Sequence, residues 1–168
     1  MKMTACLLAL CAVIPAAMAQ APDKVVVASD KRSQITVPAS WDTLQLNEAA
    51  EIQVGNETDE AYLIVLTEIK EDLAGWNLEK HSRVTLGKLL SSLSFPAVTG
   101  PKPMTIDGHP AVQYEIRAAS GGRNIFYLHT TIDGGALFSQ VLAWTLPSHL
   151  DAVRPQLVKA VGTYHEIK

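Results

Sequence analysis

The chain is poor in thiols. Its 168 residues contain two cysteines, Cys6 and Cys11, and both fall in a stretch expected to be removed from the working protein. What remains then has no disulfide, no cysteine metal ligand and no cysteine nucleophile, so its stability must come from an ordinary hydrophobic core. Long apolar runs are also missing. Ala5 to Ile14 is about ten residues, roughly half of what a bilayer span needs. The longest later run, Ala61 to Leu66, has the length of a strand. No basic patch with interleaved aromatics occurs, which argues against nucleic acid as a partner. No polybasic segment suits a membrane surface either. Net charge is −3 and acids and bases are interspersed. The most polarised stretch, Glu57-Thr58-Asp59-Glu60, reads as a solvated turn.

Signatures of catalysis and metal binding are lacking too. The five histidines, His81, His109, His129, His149 and His165, are scattered, with no His-x-x-x-His pair and no His-Glu-x-x-His. No Gly-x-Ser-x-Gly elbow is present. Asp107 and Asp133 precede glycines, where carboxylates serve turns. Gly121-Gly122 and Gly134-Gly135 lack the strand–loop–helix setting of a phosphate cradle. The expectation is a protein with no catalytic, metal or cofactor residues, and hence not an enzyme.

What the chain does have begins at its N-terminus. Lys2, the Ala5–Ile14 run, Pro15 and the small residues of Ala17-Met18-Ala19 form the pattern of a secretory signal, with a cut expected after Ala19. A lipoprotein reading is disfavoured, because Leu10 before Cys11 is too large and Cys6 lies too near the start. The expected compartment is periplasmic or secreted. After the signal (1–19) comes a polar leader (20–33), in which Val25-Val26-Val27 reads as an edge strand. Residues 34–168 are expected to form one domain.

Strands are expected at Ile35–Val37, as one or two short pieces within Leu44–Val54, and at Ala61–Ile69. The last is apolar on both faces through its first half, as a central strand would be. Gly55-Asn56 reads as a turn. The period then changes. Leu86, Leu89, Leu90 and Leu93 recur at helical spacing, predicting a helix over about 82–94 with Ser82 as N-cap and Phe95-Pro96 as its close. Four more strands follow, at about 101–106, 111–118, 124–132 and 136–145. Asp107-Gly108, Ser120-Gly121-Gly122 and Asp133-Gly134-Gly135 separate them. Turns this tight imply an antiparallel meander. A second helix is predicted over about 148–161, striped by Leu150, Val153, Leu157, Val161 and Tyr164, with Pro155 awkwardly placed. The fold class is α+β: an antiparallel sheet of about six strands flanked by a mid-chain and a C-terminal helix.

Three segments resemble the PsbP-like superfamily, which includes DcrB-like and Mog-type proteins. They are Ile35-Thr36-Val37-Pro38 leading to Trp41, the run from Ile106 to Glu115, and Leu142-Ala143-Trp144-Thr145 entering the last helix. The resemblance implies an α/β/α sandwich and accessory roles rather than one shared activity. On that basis the expected function is a non-enzymatic envelope protein that binds a protein partner or assists assembly. The alternative is a small-molecule or metal carrier. The candidate binding surface comprises Tyr62, Trp76, Tyr114, Tyr127, Glu115 and Arg117. All three tryptophans, Trp41, Trp76 and Trp144, are read first as core residues, and Trp76, in a loop before the first helix, is the one most open to partial exposure and a binding role.

Overall fold

The structure, a computed structural model, describes residues 22–167. The signal pattern with Cys6 and Cys11 lies outside the described residues. The described strands form two antiparallel sheets. The larger has seven strands: β3 (Asp42–Thr43), β4 (Ile52–Asn56), β5 (Ala61–Ile69), β6 (Ser94–Ile106), β7 (His109–Ser120), β8 (Arg123–Asp133) and β9 (Leu137–Thr145). Their spatial order is β3-β4-β5-β9-β8-β7-β6. The expectation of about six strands was one short for this sheet and missed the second. That smaller sheet has the order β1-β2-β10, from β1 (Asp23–Val27), β2 (Ser33–Pro38) and β10 (His165–Glu166). The polar leader is therefore not a separate tail, because its strand pairs with β2 along five residues. β10, only two residues long, carries too little pattern to be read from sequence.

The meander is as the turns implied. Asp107 and Gly108 have φ of 53° and 76°, and Gly121 and Gly122 have φ of 56° and 80°. These are the left-handed positions that two-residue hairpins require. Gly55-Asn56, expected as a turn, instead continues β4 opposite Tyr62 and Ala61. The turn falls on the acidic stretch 57–60.

Two helices cover the larger sheet on opposite faces. The first, α1 (Leu78–Ser91), begins earlier than Ser82. Asn77 is the true N-cap, its side-chain oxygen accepting the Lys80 N–H at 2.9 Å, as a capping amide does. The second, α2 (Leu150–Gly162), contains Pro155 and follows a 3₁₀ turn at Pro147–His149. Pro155 and Asp151 both lie on the exposed side. The carbonyl that the proline leaves without an N–H therefore faces water, which makes the break tolerable. The stripe Leu150, Val153, Leu157, Val161 and Tyr164 is buried. With Ile35, Val37, Trp41, Ile52, Leu63, Phe126, Leu128 and Val141 it forms the main core, between α2, the small sheet and one face of the large sheet.

The α1 side is looser. Leu86, Leu89, Leu90 and Leu93 are only partly buried there, against Ile64, Ile116, Tyr127 and Leu142. On β7 the polar Gln113 is buried, whereas Val112 and Tyr114 are half-exposed. Strand alternation by itself does not say which of the two faces is the more tightly covered. Gln113 points toward the α2 side and donates to Thr130 Oγ1 at 2.9 Å.

Candidate functional site

The helical period decides what α1 presents. Leu78, Ser82, Leu86 and Leu90 recur every four residues and make one ridge inclined to the helix axis, rising about 18 Å at 1.5 Å per residue. This ridge forms one wall of an apolar groove of about 650 Å³. Val112 and Tyr114 of β7 and Pro101 of β6 supply the facing surface, Gly87 of α1 also borders it, and Glu79 and Arg83 stand at the rim. On the other flank of α1, His81, Thr85 and Leu89 border a second, more polar groove of about 380 Å³, together with Glu68, Gln140 and Leu142. Leu86 and Leu90 thus border one groove and Leu89 the other, while all four leucines of the stripe also pack against the sheet. Sites of this size with an apolar lining and few polar groups are typical of ligand and peptide binding.

A polar seam runs beneath the helix. The His81 ring stacks on Phe138 at 5.0 Å between centroids, and its Nε2 lies 2.7 Å from Glu68. Burial lowers the His81 pKa, and Glu68 only partly opposes that effect. His129 on β8 is fully buried, with Tyr114 edge-on at 6.2 Å. Burial pushes its pKa down to about 4, so it is neutral at pH 7. Among the described residues neither of its ring nitrogens meets a hydrogen-bond partner, nor do His81 Nδ1, Ser82 Oγ and Thr131 Oγ1. Ser82 therefore makes no hydrogen bond to either imidazole, and the nucleophile–base contact that activates a serine is not formed. No group of three or more metal-ligating side chains occurs among the described residues.

The six candidate surface residues separate into distinct places. Tyr62 stacks on Trp144 at 5.4 Å and Tyr127 lies 6.1 Å from the same ring. This aromatic group sits at one end of the α1-side face and lines neither groove. Tyr114 alone of the six borders the apolar groove. Trp76, half-buried, stands before α1 with Lys80 over its ring at 4.8 Å. Glu115 and Arg117 face the opposite side of the sheet. Glu115 is bound by Arg154 of α2, and Arg117 lies over Phe126 at 5.5 Å. The six do not lie on a single surface, because successive residues of β7 point to opposite faces, which separates Tyr114 from Glu115 and Arg117. Trp41 is fully buried, whereas Trp144 is only half-buried at the sheet surface.

Residues that the sequence reading passed over include Leu78, Ser82 as a groove residue, Pro101 and Phe95. For the first two the signal was present, since 78-82-86-90 is a helical ridge. It was masked by placing the helix start four residues late. No described helix is long and apolar enough to cross a membrane.

No protein-family model and no curated protein sequence matches this chain. Solved structures do match in shape. The cyanobacterial PsbP (CyanoP) of Synechocystis sp. PCC 6803 superposes with a TM-score of 0.64 at 10% identity, covering 93% of this chain and 98% of that one. LpqN of Mycobacterium tuberculosis, involved in cell envelope biogenesis, gives 0.62 at 15% identity over 88% and 91%. The Saccharomyces cerevisiae Ran-binding protein Mog1p gives 0.61 at 12% identity over 88% and 97%. At such identities the likeness establishes the fold.

Proposed function

We propose that this chain, a PsbP-like α/β/α sandwich in fold, is a non-enzymatic accessory protein of the cell envelope that binds a segment of another protein. The observation that carries this reading is the apolar groove beside α1. It is some 650 Å³ in volume and lined by Leu78, Leu86, Leu90, Pro101, Val112 and Tyr114. A partner's apolar side chains would bury that lining, while Glu79 and Arg83 offer polar contacts at the edge, the usual arrangement of an interface core and rim. Two proteins of similar fold are a Ran-binding protein and a protein involved in cell envelope biogenesis, and accessory roles of that kind suit this reading. The secretory pattern at residues 1–19 supports the compartment.

The test is a photocrosslinking residue placed at Leu90 in the native host, with a control at Val158, an exposed apolar residue on α2. A discrete protein adduct from position 90, absent from 158 and lost with Leu86→Asp, supports the proposal. Equal smears from both positions, or no adduct at 90, sink it.

One observation favours a second reading, a small-molecule carrier. Ser82 lines the same groove, and its hydroxyl is buried with no partner among the described residues. Such a group suits a ligand with an apolar body and one polar atom. Native mass spectrometry of protein from its own host decides this: a reproducible added mass lost in Ser82→Ala, Leu86→Asp supports a carrier, and a clean unliganded mass removes it.

A further inference from the structure

Phe95 holds a backbone conformation that contacts within its own chain do not explain. Its φ is 51°, and it precedes Pro96. Bulky side chains avoid positive φ, and a residue before proline is pushed toward extended backbone. The ring gains little burial in return, because Phe95 is 92% exposed. The ladder is disturbed at the same point. From Ser94↔Ala119 to Ala97↔Arg117, β6 advances three residues while β7 advances two. Phe95 and Pro96 therefore bulge out where β6 begins. Strain of this kind persists only when something offsets it, and it is enriched at functional sites.

Beside the bulge lies a hollow of about 310 Å³. Ala97, Ala118, Ala119, Ile125 and Pro147 form its apolar part and Arg117 and Asn124 its polar part, with Phe95 on its lip. Three alanines leave open the space that larger side chains would fill. An exposed aromatic and an apolar hollow thus sit side by side on one surface. We propose that they form a reciprocal contact between two copies of this chain, each Phe95 entering the partner's hollow about a two-fold axis. A two-fold contact uses the same patch on both copies, so it needs a projection and a recess on one face, and both are here. Strand addition is the rival way to use a sheet edge, and this end of β6 resists it: Pro96 has no N–H to donate, and the bulge bends the edge. Two inserted rings cover less than the roughly 800 Å² per partner of a standard stable interface. The association is therefore expected to be weak and dependent on concentration.

Sedimentation velocity on the protein purified from its own host tests this, over concentrations from about 1 μM to about 1 mM, the range of weak complexes. Wild type is expected to shift toward dimer across the series. Phe95→Ala removes the projection and Ala119→Trp fills the hollow, and each weakens association at least tenfold. Mixed together, these two variants retain one ring and one open hollow, and they recover an intermediate heterodimer. Phe95→Gly separately tests the strain: at dilute concentration its melting temperature rises, since glycine accepts positive φ freely. Wild type sedimenting as a monomer throughout overturns the proposal. So does a Phe95→Ala protein that dimerises as wild type does, or a Phe95→Gly protein that melts lower. None of these outcomes bears on the groove beside α1, so this proposal and the accessory-protein reading fail separately.

Discussion

His81 Nε2 stands 2.7 Å from a carboxylate oxygen of Glu68, joining α1 to β5 under the helix. Two effects oppose each other at this imidazole. Burial disfavours its charged form and is the larger, while the hydrogen bond and charge of Glu68 favour it. The net result is a pKa below the ordinary 6.5, so even with a carboxylate at contact distance desolvation wins. Glu68→Gln removes the opposing charge, and the His81 pKa should fall further. An NMR titration of the His81 ring protons measures this, and an unchanged or raised value would contradict the balance described.

His129 should make the fold sensitive to acid. Its pKa is about 4 in the folded state against 6.5 ordinarily. Between those values the unfolded chain binds the proton and the folded chain does not, so stability falls as pH falls from 6.5 toward 4. Above 6.5 this contribution is complete. At about 1.36 kcal/mol per pH unit, the gap is worth roughly 3 kcal/mol. In urea denaturation at pH 7.5 and 4.5, His129→Leu should lose distinctly less stability between the two pH values than wild type. Parallel losses in both proteins would remove His129 as the cause.

Two glycines should respond in opposite directions to alanine. At Gly55 a Cβ would lie 2.6 Å from the Ala61 carbonyl oxygen and 2.9 Å from Leu44 and Tyr62 carbons. The carbonyl belongs to the β4–β5 ladder and cannot retreat without loosening it. Gly55→Ala should cost about 1–3 kcal/mol, the usual price of overpacking. Gly87 is exposed on α1, with open space where a Cβ would go. Gly87→Ala should stabilise by about 0.5–1 kcal/mol, through helix propensity. Thermal melts of the pair read both signs.

The Tyr164 and Ser139 hydroxyls share a buried hydrogen bond of 2.6 Å. It ties the segment after α2 to β9. Tyr164→Phe leaves the serine hydroxyl without that partner and should cost about 1–2 kcal/mol. Adding Ser139→Ala should recover part of the loss, because removing both polar partners is less costly than stranding one. A double variant less stable than the sum of the two single changes would argue that packing, rather than the hydrogen bond, governs this site.

Much of the frame was legible before any coordinates. Asp107-Gly108 and Gly121-Gly122 named two hairpins, because few residues other than glycine and aspartate accept positive φ there. The leucines at 86, 89, 90 and 93 named a helix, and the stripe ending at Tyr164 named another. Errors came where local pattern is thin. β10 spans two residues, Gly55-Asn56 resembles a turn yet is held in a ladder by β5, and Asn77 caps α1 before the leucine stripe starts. The six surface residues do not share one face: Tyr114 and Glu115 are neighbours on β7 and so point to opposite sides of the sheet, as their spacing already implied.

Periodicity and turn chemistry are local, acting over a few neighbouring residues, so the sequence alone determined the strands of the meander, the two helices and the antiparallel sense. How closely each helix sits on the sheet depends on side chains contributed by distant segments. Only the tertiary structure therefore decided that α2 seals its face while α1 leaves a groove on each flank. The same holds for His129 being buried without a partner, and for Phe95 pointing outward beside a hollow floored by alanines. Those features arise where strands and helices meet, and no stretch of the chain encodes them by itself.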